Sequence, residues 1–211
     1  MKNWNFRRFL PLLPVASLAI LAGCNIVQPA QEDPTRYFVL SDSSVQTATS
    51  PAAGAVRIGL RTVKVESYLK KREMVVRTGD NEVEFRDYQR WAEPLDAAIS
   101  RVLRQRLLGS PAVASAAAEP FPVDQDRDFD VSVDIRRFEG SVPAGGRATA
   151  NLSAMIEIWT AGDTPRLVAR KLFTAPEAAW DGRDYGLLAR LLSEDAAALG
   201  QEILAEIPAK N

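Results

Sequence analysis

The sequence offers few residues that can do chemistry, and the most informative is Cys24, the only cysteine in the chain. The chain has no histidine, which excludes Ser-His-Asp and Cys-His catalysis, histidine-ligated metals and a histidine-based pH switch. Paired carboxylates remain, but the acidic cluster at 124–128 lies in a proline-rich polar stretch and is typical of a solvated loop. Gly145-Gly146 lacks the pattern of a phosphate-binding loop. We therefore expect no enzyme, no metal site and no cofactor-binding residue.

Cys24 follows a segment with the organisation of a signal peptide. Lys2, Arg7 and Arg8 form a basic start, residues 9–21 are mostly apolar, and two small residues precede the cysteine. The apolar run is shorter than the ~20 residues that span a bilayer, so a permanent transmembrane helix is not expected. An ordinary signal peptide that happens to contain a cysteine is the alternative interpretation.

The residues at 21–24, Leu-Ala-Gly-Cys, resemble the bacterial lipobox, in which the thiol is acylated and the chain is cut before the cysteine. The resemblance implies that residues 1–23 are removed and that Cys24 carries a diacylglycerol and a fatty acid. Two or more acyl chains anchor a protein stably, whereas one chain binds only marginally. Asn25 stands where an aspartate would signal inner-membrane retention, which favours the periplasmic face of the outer membrane.

The composition of the mature chain limits its partners. Removing residues 1–23 takes away three basic residues and no acidic one, and leaves 23 basic against 27 acidic residues. This balance argues against nucleic-acid binding and against electrostatic attachment to anionic lipid. We expect a lipidated tether at 24–35 and one periplasmic domain at 36–208.

Two segments have the periodicity of amphipathic helices. In the first, Pro94 to Leu108, one apolar stripe is followed by Gly109, a residue typical of helix ends. We place Pro94 in the first helical turn, where its missing N–H costs nothing. The second runs from about Asp184 to Ile207 with apolar residues spaced by three and four positions.

Several segments alternate between apolar and polar residues and predict strands. The clearest runs from Phe129 to Arg136 and is followed by two more strands joined by short turns, which together make an antiparallel meander. The Ala- and Pro-rich stretch 109–127 is predicted to be a loop. The order of elements predicts an α+β fold, a two-layer sandwich in which two long helices pack on one face of a mainly antiparallel sheet. Four shorter segments are predicted as strands: residues 36–40, 56–60, 74–76 and 83–85. The glycine and Asx residues at 78–81 suit a hairpin turn between the last two.

Short motifs occur in a fixed order along the mature chain, and each alone has a structural explanation. Trp91 could pack between a helix and the sheet or contact a ligand, and Glu93 would interact favourably with a helix dipole. The motifs are Tyr37-Phe38-Val39-Leu40, Tyr68-Leu69, Trp91-Ala92-Glu93-Pro94-Leu95 and Phe138-Glu139. In this order they resemble the ABC-type transport auxiliary lipoprotein family.

The resemblance implies a non-catalytic subunit of an intermembrane phospholipid transport system that supports envelope integrity. Its expected partners are the membrane, an MCE-domain protein, the ABC and permease subunits, and phospholipid itself. The candidate partner or structural residues are Tyr68, Leu69, Trp91, Glu93, Pro94 and Leu95. Two alternatives are a lipoprotein that carries lipid directly and a structural lipoprotein that assists envelope or secretion assembly. A homo-oligomer is a further alternative, because neighbouring copies could cover the short edge strands and a solvent-facing Trp159.

Lipid anchoring predicts that Cys24→Ser abolishes membrane attachment without changing the fold, because the thiol is the acylation site. Membrane fractionation measures the attachment, and circular dichroism of the released protein checks the fold. Stable attachment of the Cys24→Ser protein would contradict lipid anchoring.

Overall fold

Strands and helices alternate along the chain to give a single mixed sheet with two long helices. A computed structural model describes residues 32–41 and 50–208; the predicted signal peptide, Cys24 and most of the tether lie outside them. From Thr35 onward the chain is one compact unit. In the described part, the strands are β1 Arg36–Phe38, β2 Val56–Leu60, β3 Lys64–Val65, β4 Glu73–Gly79, β5 Glu82–Trp91, β6 Val113–Ala118, β7 Phe129–Ser141, β8 Thr149–Thr160, β9 Leu167–Thr174 and β10 Ala178–Ala179, and the α-helices are α1 Leu95–Leu108 and α2 Tyr185–Glu206. A 3₁₀ turn covers Ser67–Lys70.

Strand β7 is the centre of the sheet. Along one edge it pairs antiparallel with β8 over nearly its whole length, and β8 pairs antiparallel with β9, so the predicted meander is confirmed. Along its other edge three short strands pair with β7 in parallel, first β2, then β3, then β4. Strand β4 continues through a tight turn into β5, as the hairpin at residues 78–81 predicted. The longest ladders are therefore antiparallel, while the shorter ones make the sheet mixed.

The two helices pack on each other and on one face of the sheet. Helix α2 contacts β7, β8 and β9, and α1 contacts β3 and β6. The even-numbered residues of β8 from Ala150 to Ile158 are all buried on this face, whereas the odd-numbered ones are half-buried on the other. The predicted two-layer α+β architecture is confirmed. Of the helices in the described part, none has the length and apolar composition of a membrane span.

The helix ends lie within a residue of the predicted bounds. Pro94 precedes α1 as its N-cap, with a ψ of 136°, so it lies outside the first turn in which it was predicted. Gly109 ends α1. At the start of α2 the Asp184 carboxylate accepts hydrogen bonds from the N–H groups of Gly186 and Leu187, which satisfies two donors that lack helical partners.

The prediction of a loop over residues 109–127 is wrong, because part of it forms strand β6. Alanine has low strand propensity and the segment shows no alternation, so its sequence gives no local signal. Strand β6 exists because β2 supplies a parallel partner from Val56 to Leu60, and because Val113 and Ala116 are buried beside α1. Tertiary pairing has overridden local preference here.

A bulge changes which side chains of β7 face the helices. The β7–β8 register shifts between Ile135 and Arg137, so that Arg136 is an extra residue. Before the bulge Ile135 faces the helices, and after it Phe138 does, paired with Leu152. Glu139 is consequently directed to the opposite, mainly polar face of the sheet.

Trp91 is a core residue on the helix-facing side of the sheet. Its side chain is buried, and its ring lies 5.8 Å from the Phe138 ring, centroid to centroid, in a tilted arrangement. Its backbone joins three parts of the chain, since Trp91 is the register partner of Phe38 in β1 and its N–H donates to the Arg72 carbonyl. The structure therefore gives Trp91 the packing position that we weighed against ligand contact.

Trp91→Ala is expected to lower the free energy of unfolding by about 3–5 kcal/mol, because it leaves a cavity beside Phe138. Urea unfolding followed by circular dichroism measures the change. Tyr88→Ala is the matched control, since Tyr88 lies on the same strand and is 54% exposed. This variant should lower the free energy of unfolding by no more than about 0.5 kcal/mol. Equal losses for the two variants would contradict a core role for Trp91.

Asp195 is a buried carboxyl on α2. It is 6% exposed, and its Oδ2 atom has no hydrogen-bond partner among the described residues. Burial, with a smaller contribution from the charge of Glu194, raises the pKa of Asp195 to about 7. The folded state therefore favours the neutral, protonated acid. In the unfolded chain the same carboxyl loses its proton near its ordinary pKa of 3.8.

This difference makes stability fall as pH rises from about 4 to about 7 and leaves it lowered above that range. Asp195→Asn, which mimics the neutral acid, is expected to become more stable than the natural protein over the same range, by at least about 1 kcal/mol at pH 8. Urea unfolding at several pH values measures the gap. The control is Asp163→Asn, in an exposed turn, whose difference in unfolding free energy from the natural protein should not change with pH. A pH-independent difference for Asp195→Asn would contradict the prediction.

Candidate functional site around a buried glutamate

Glu139 is the residue at which two of the sequence motifs meet. It lies on the polar face of β7 yet is only 1% exposed, because side chains from neighbouring elements cover it. The Tyr68 hydroxyl donates to Glu139 Oε2 at 2.8 Å and is 3.1 Å from the Arg136 carbonyl oxygen. Tyr68 and Glu139, which are 71 positions apart in the sequence, are therefore direct partners.

Two arginines share the other oxygen of the same carboxylate. Arg77 Nε donates to Glu139 Oε1 at 2.6 Å, and Arg137 Nε donates to it at 3.1 Å. Arg77 Nη1 also donates to the Asp80 carbonyl oxygen, which fixes the orientation of its guanidinium. We call Tyr68, Arg77, Arg137 and Glu139 the Glu139 cluster.

The cluster satisfies a charge that would otherwise be costly to bury. A buried carboxylate without partners costs several kcal/mol, whereas charge-assisted hydrogen bonds from arginine compensate it. The same contacts perturb the neighbours: burial, then the hydrogen bond to Glu139, raises the pKa of Tyr68 to about 12. The hydrogen bond to Glu139 also raises the pKa of Arg77 above its ordinary value. Tyr68 and Arg77 are thus protonated at any physiological pH.

The remaining candidate residues lie on the helix-facing side. Leu69 is 2% exposed and Leu95 is 4% exposed, so both side chains belong to the core. Glu93 pairs with Arg101, whose Nη2 also donates to the Leu40 carbonyl oxygen at 3.0 Å. The Glu93–Arg101 pair therefore ties α1 to the chain segment that follows β1.

The structure divides the predicted residues into two groups on opposite faces of the sheet. Tyr68 belongs to the Glu139 cluster, while Trp91 contacts Phe138 on the other face. The neighbours Phe138 and Glu139 join the two groups, because adjacent residues of a strand point in opposite directions. Cys24 lies outside the described residues.

Arg77 and Arg137 are site residues that the sequence analysis missed. Arg77 follows the apolar run Met74–Val76, and Arg137 precedes the Phe138-Glu139 motif. The available signal for Arg137 was a basic residue two positions before a motif glutamate in a predicted strand, a spacing that places both on one face. The pairing of Arg77 with Glu139 depends on a parallel ladder that the sequence does not reveal.

A polar cleft of about 450 Å³ opens beside the cluster. Arg77 and Arg137 contribute to its wall, together with residues at and just after the ends of β4 and β7: Gly79, Asp80, Ser141 and Pro143. A larger groove of about 600 Å³ runs along α2 on the other side of the sheet, with Phe173, Ala197 and Ala198 in its lining. Within the described ranges, no group of three or more acidic, cysteine or histidine side chains is arranged to hold a metal ion.

The acidic loop before β7 is exposed over residues 122–126, as predicted for a solvated loop, but ion pairs attach its end to β2. Asp128 accepts hydrogen bonds from the backbone and guanidinium of Arg57, and Asp126 pairs with the same guanidinium. Asp130, which is 3% exposed, pairs with Arg61 and Arg127. Asp126 and Asp128 thus attach the loop to Arg57 of β2, and Asp130 of β7 holds Arg127 of the loop, which is a structural role.

Solved structures share this fold. The crystal structure of protein XCC0632 from Xanthomonas campestris superposes with a TM-score of 0.66 at 16% identity and covers 81% of this chain and 93% of its own. The crystal structure of an uncharacterized protein gives a TM-score of 0.62 at 19% identity, with coverages of 82% and 99%. At these identities the likeness concerns the fold alone. No curated protein matches the sequence.

A family model described as the ABC-type transport auxiliary lipoprotein component matches residues 38–204. The match includes the 3₁₀ turn, the Glu139 cluster, α1, the whole of the meander and all but the last two residues of α2. The chain therefore belongs to the ABC-type transport auxiliary lipoprotein family.

Proposed function

We propose that this chain is a non-catalytic subunit of an MCE-type system that moves phospholipid between membranes, anchored through Cys24 to the periplasmic face of the outer membrane. The observation that carries the proposal is the match of residues 38–204 to a family of auxiliary transport lipoproteins. The lipobox-like sequence ending at Cys24 supports the anchor, and Asn25 supports the outer membrane.

The Glu139 cluster supports a role without catalysis. A general acid or base must exchange a proton with a substrate, which requires a carboxylate that substrate can reach. Both oxygens of Glu139 are instead occupied by hydrogen bonds from Tyr68, Arg77 and Arg137, and its side chain is fully buried. The chain contains no histidine that could take this role.

The attachment of β1 supports a role as a tethered adaptor. A tether from Cys24 to Arg36 reaches at most about 40 Å when fully extended, which would hold β1 near the membrane. The first segment of the domain is secured at several points: β1 pairs with β5, the Leu40 carbonyl accepts from Arg101, and the Ser41 N–H donates to Ser193 Oγ on α2. A force on the tether would therefore be transmitted to the sheet and both helices.

The proposal predicts that the full chain, tagged at its C-terminus and extracted in a mild non-ionic detergent, co-purifies with the MCE-domain protein encoded in the same locus. Mass spectrometry of the eluate identifies the partner. An unrelated outer-membrane lipoprotein with the same tag is the control for shared membrane location. Repeated absence of the MCE-domain protein, including after crosslinking in cells, would contradict the proposed function.

A further inference from the structure

The two arginines of the Glu139 cluster have more hydrogen-bonding capacity than the cluster uses. Each donates through Nε to Glu139, and Arg77 Nη1 donates to the Asp80 carbonyl oxygen. Arg77 also interacts with the Tyr68 hydroxyl. Arg137 is bonded to the cluster through Nε, and within residues 32–41 and 50–208 neither of its Nη atoms is bonded to an acceptor. Both Nη atoms of Arg137 are thus available at the cleft, which the Arg77 side chain also lines.

The charges of the cluster leave a positive excess. One buried carboxylate faces two guanidinium groups, although a single bidentate arginine would be enough to neutralise it. Asp80 is the acidic residue in the cleft wall, and it is exposed, so solvent screens its charge. The Arg77 side chain is only 22% exposed and the Glu139 side chain is 0% exposed, so these groups interact in a less screened environment.

The arrangement also fixes the direction of the available donors. Because Glu139 Oε1 accepts from Nε of both arginines, the carboxylate lies on the Nε side of each planar guanidinium group, and most N–H bonds of the Nη atoms point in other directions. Arginine side chains pay less entropy on binding when other contacts already hold them. The cleft of about 450 Å³ is lined mainly by polar surface and has the size of a small-molecule site.

We propose that this cleft binds a phosphate group, with Arg77 and Arg137 as the ligand-binding residues and Glu139 as the positioning residue. Phosphate fits because its several oxygens can accept hydrogen bonds from both guanidinium groups at once. A phospholipid headgroup and free phosphate share this chemistry. If the bound group is a phospholipid headgroup, the proposal rests on the proposed function, because the headgroup would belong to the transported lipid. Binding of free phosphate does not depend on the proposed function.

The test uses isothermal titration calorimetry on the full chain in a non-ionic, phosphate-free detergent at low ionic strength. The probes are inorganic phosphate and dihexanoylphosphatidylglycerol. We expect saturable binding to a single site, weakened at least about tenfold by Arg137→Ala because bidentate contacts to phosphate are lost. Arg170→Ala is the matched control, since Arg170 is an exposed arginine on β9 paired with Glu157, and it should leave binding unchanged.

A second variant keeps the test decisive if Arg137→Ala fails to fold. Asp80→Asn removes the acidic group of the cleft wall at an exposed position, and it is expected to strengthen binding several-fold. Binding of the lipid at least about tenfold tighter than inorganic phosphate would identify a headgroup site, and equal affinities a free-phosphate site. The proposal would be overturned if neither probe bound saturably. It would also be overturned if Arg137→Ala and Arg170→Ala changed the affinity equally.

The outcomes are separable from those of the co-purification experiment. If the chain co-purifies with the MCE-domain protein but does not bind either phosphate probe, only the phosphate site is overturned. Retained phosphate binding without the MCE-domain protein would overturn only the proposed function and would leave a phosphate-binding lipoprotein of another system.

Discussion

The burial of the Glu139 charge is the constraint on which the polar side of this fold depends. A carboxylate removed from water must be surrounded by donors, and these donors come from different parts of the chain: Tyr68 from the 3₁₀ turn, Arg77 from β4 and Arg137 from β7 itself. Removing one partner of a buried pair typically costs 3–5 kcal/mol. The cluster therefore holds the turn and β4 against the end of β7, where the parallel ladder between β4 and β7 is only two residue pairs long.

The bulge at Arg136 makes this arrangement compatible with the core. Without the extra residue, strict alternation after Ile135 would direct Arg137 and Glu139 toward the helices and Phe138 away from them. With it, Phe138 contacts Trp91 while Glu139 meets Tyr68. One inserted residue thus separates the apolar contacts from the charged ones. The short motif Phe138-Glu139 joins both faces because its two side chains point in opposite directions.

The parts of the fold that the sequence predicted are those determined by local patterns. The apolar stripes of α1 and α2, the alternation in β7 and β8 and the hairpin at residues 78–81 each arise within a few turns or residue pairs, so a single segment reveals them. Strand β6, the bulge and the contact of Arg77 with Glu139 depend on partners distant in sequence. The candidate site was predicted in the same uneven way: its motif residues were visible, but their grouping on two faces and the two arginines were not.

The physical role of the arginines explains why stability and the cleft are linked. A lysine at position 77 could neutralise Glu139, but it could not also direct further donors into the cleft, because its single ammonium group lacks the planar fork of arginine. The buried carboxylate thereby does more than balance a charge. Because one oxygen of Glu139 accepts hydrogen bonds from Nε of both arginines, the carboxylate sets the orientation of two guanidinium groups at the surface. The cost of burying Glu139 is offset inside the fold, and the donors left over lie at the edge of the domain, where an anionic group can reach them.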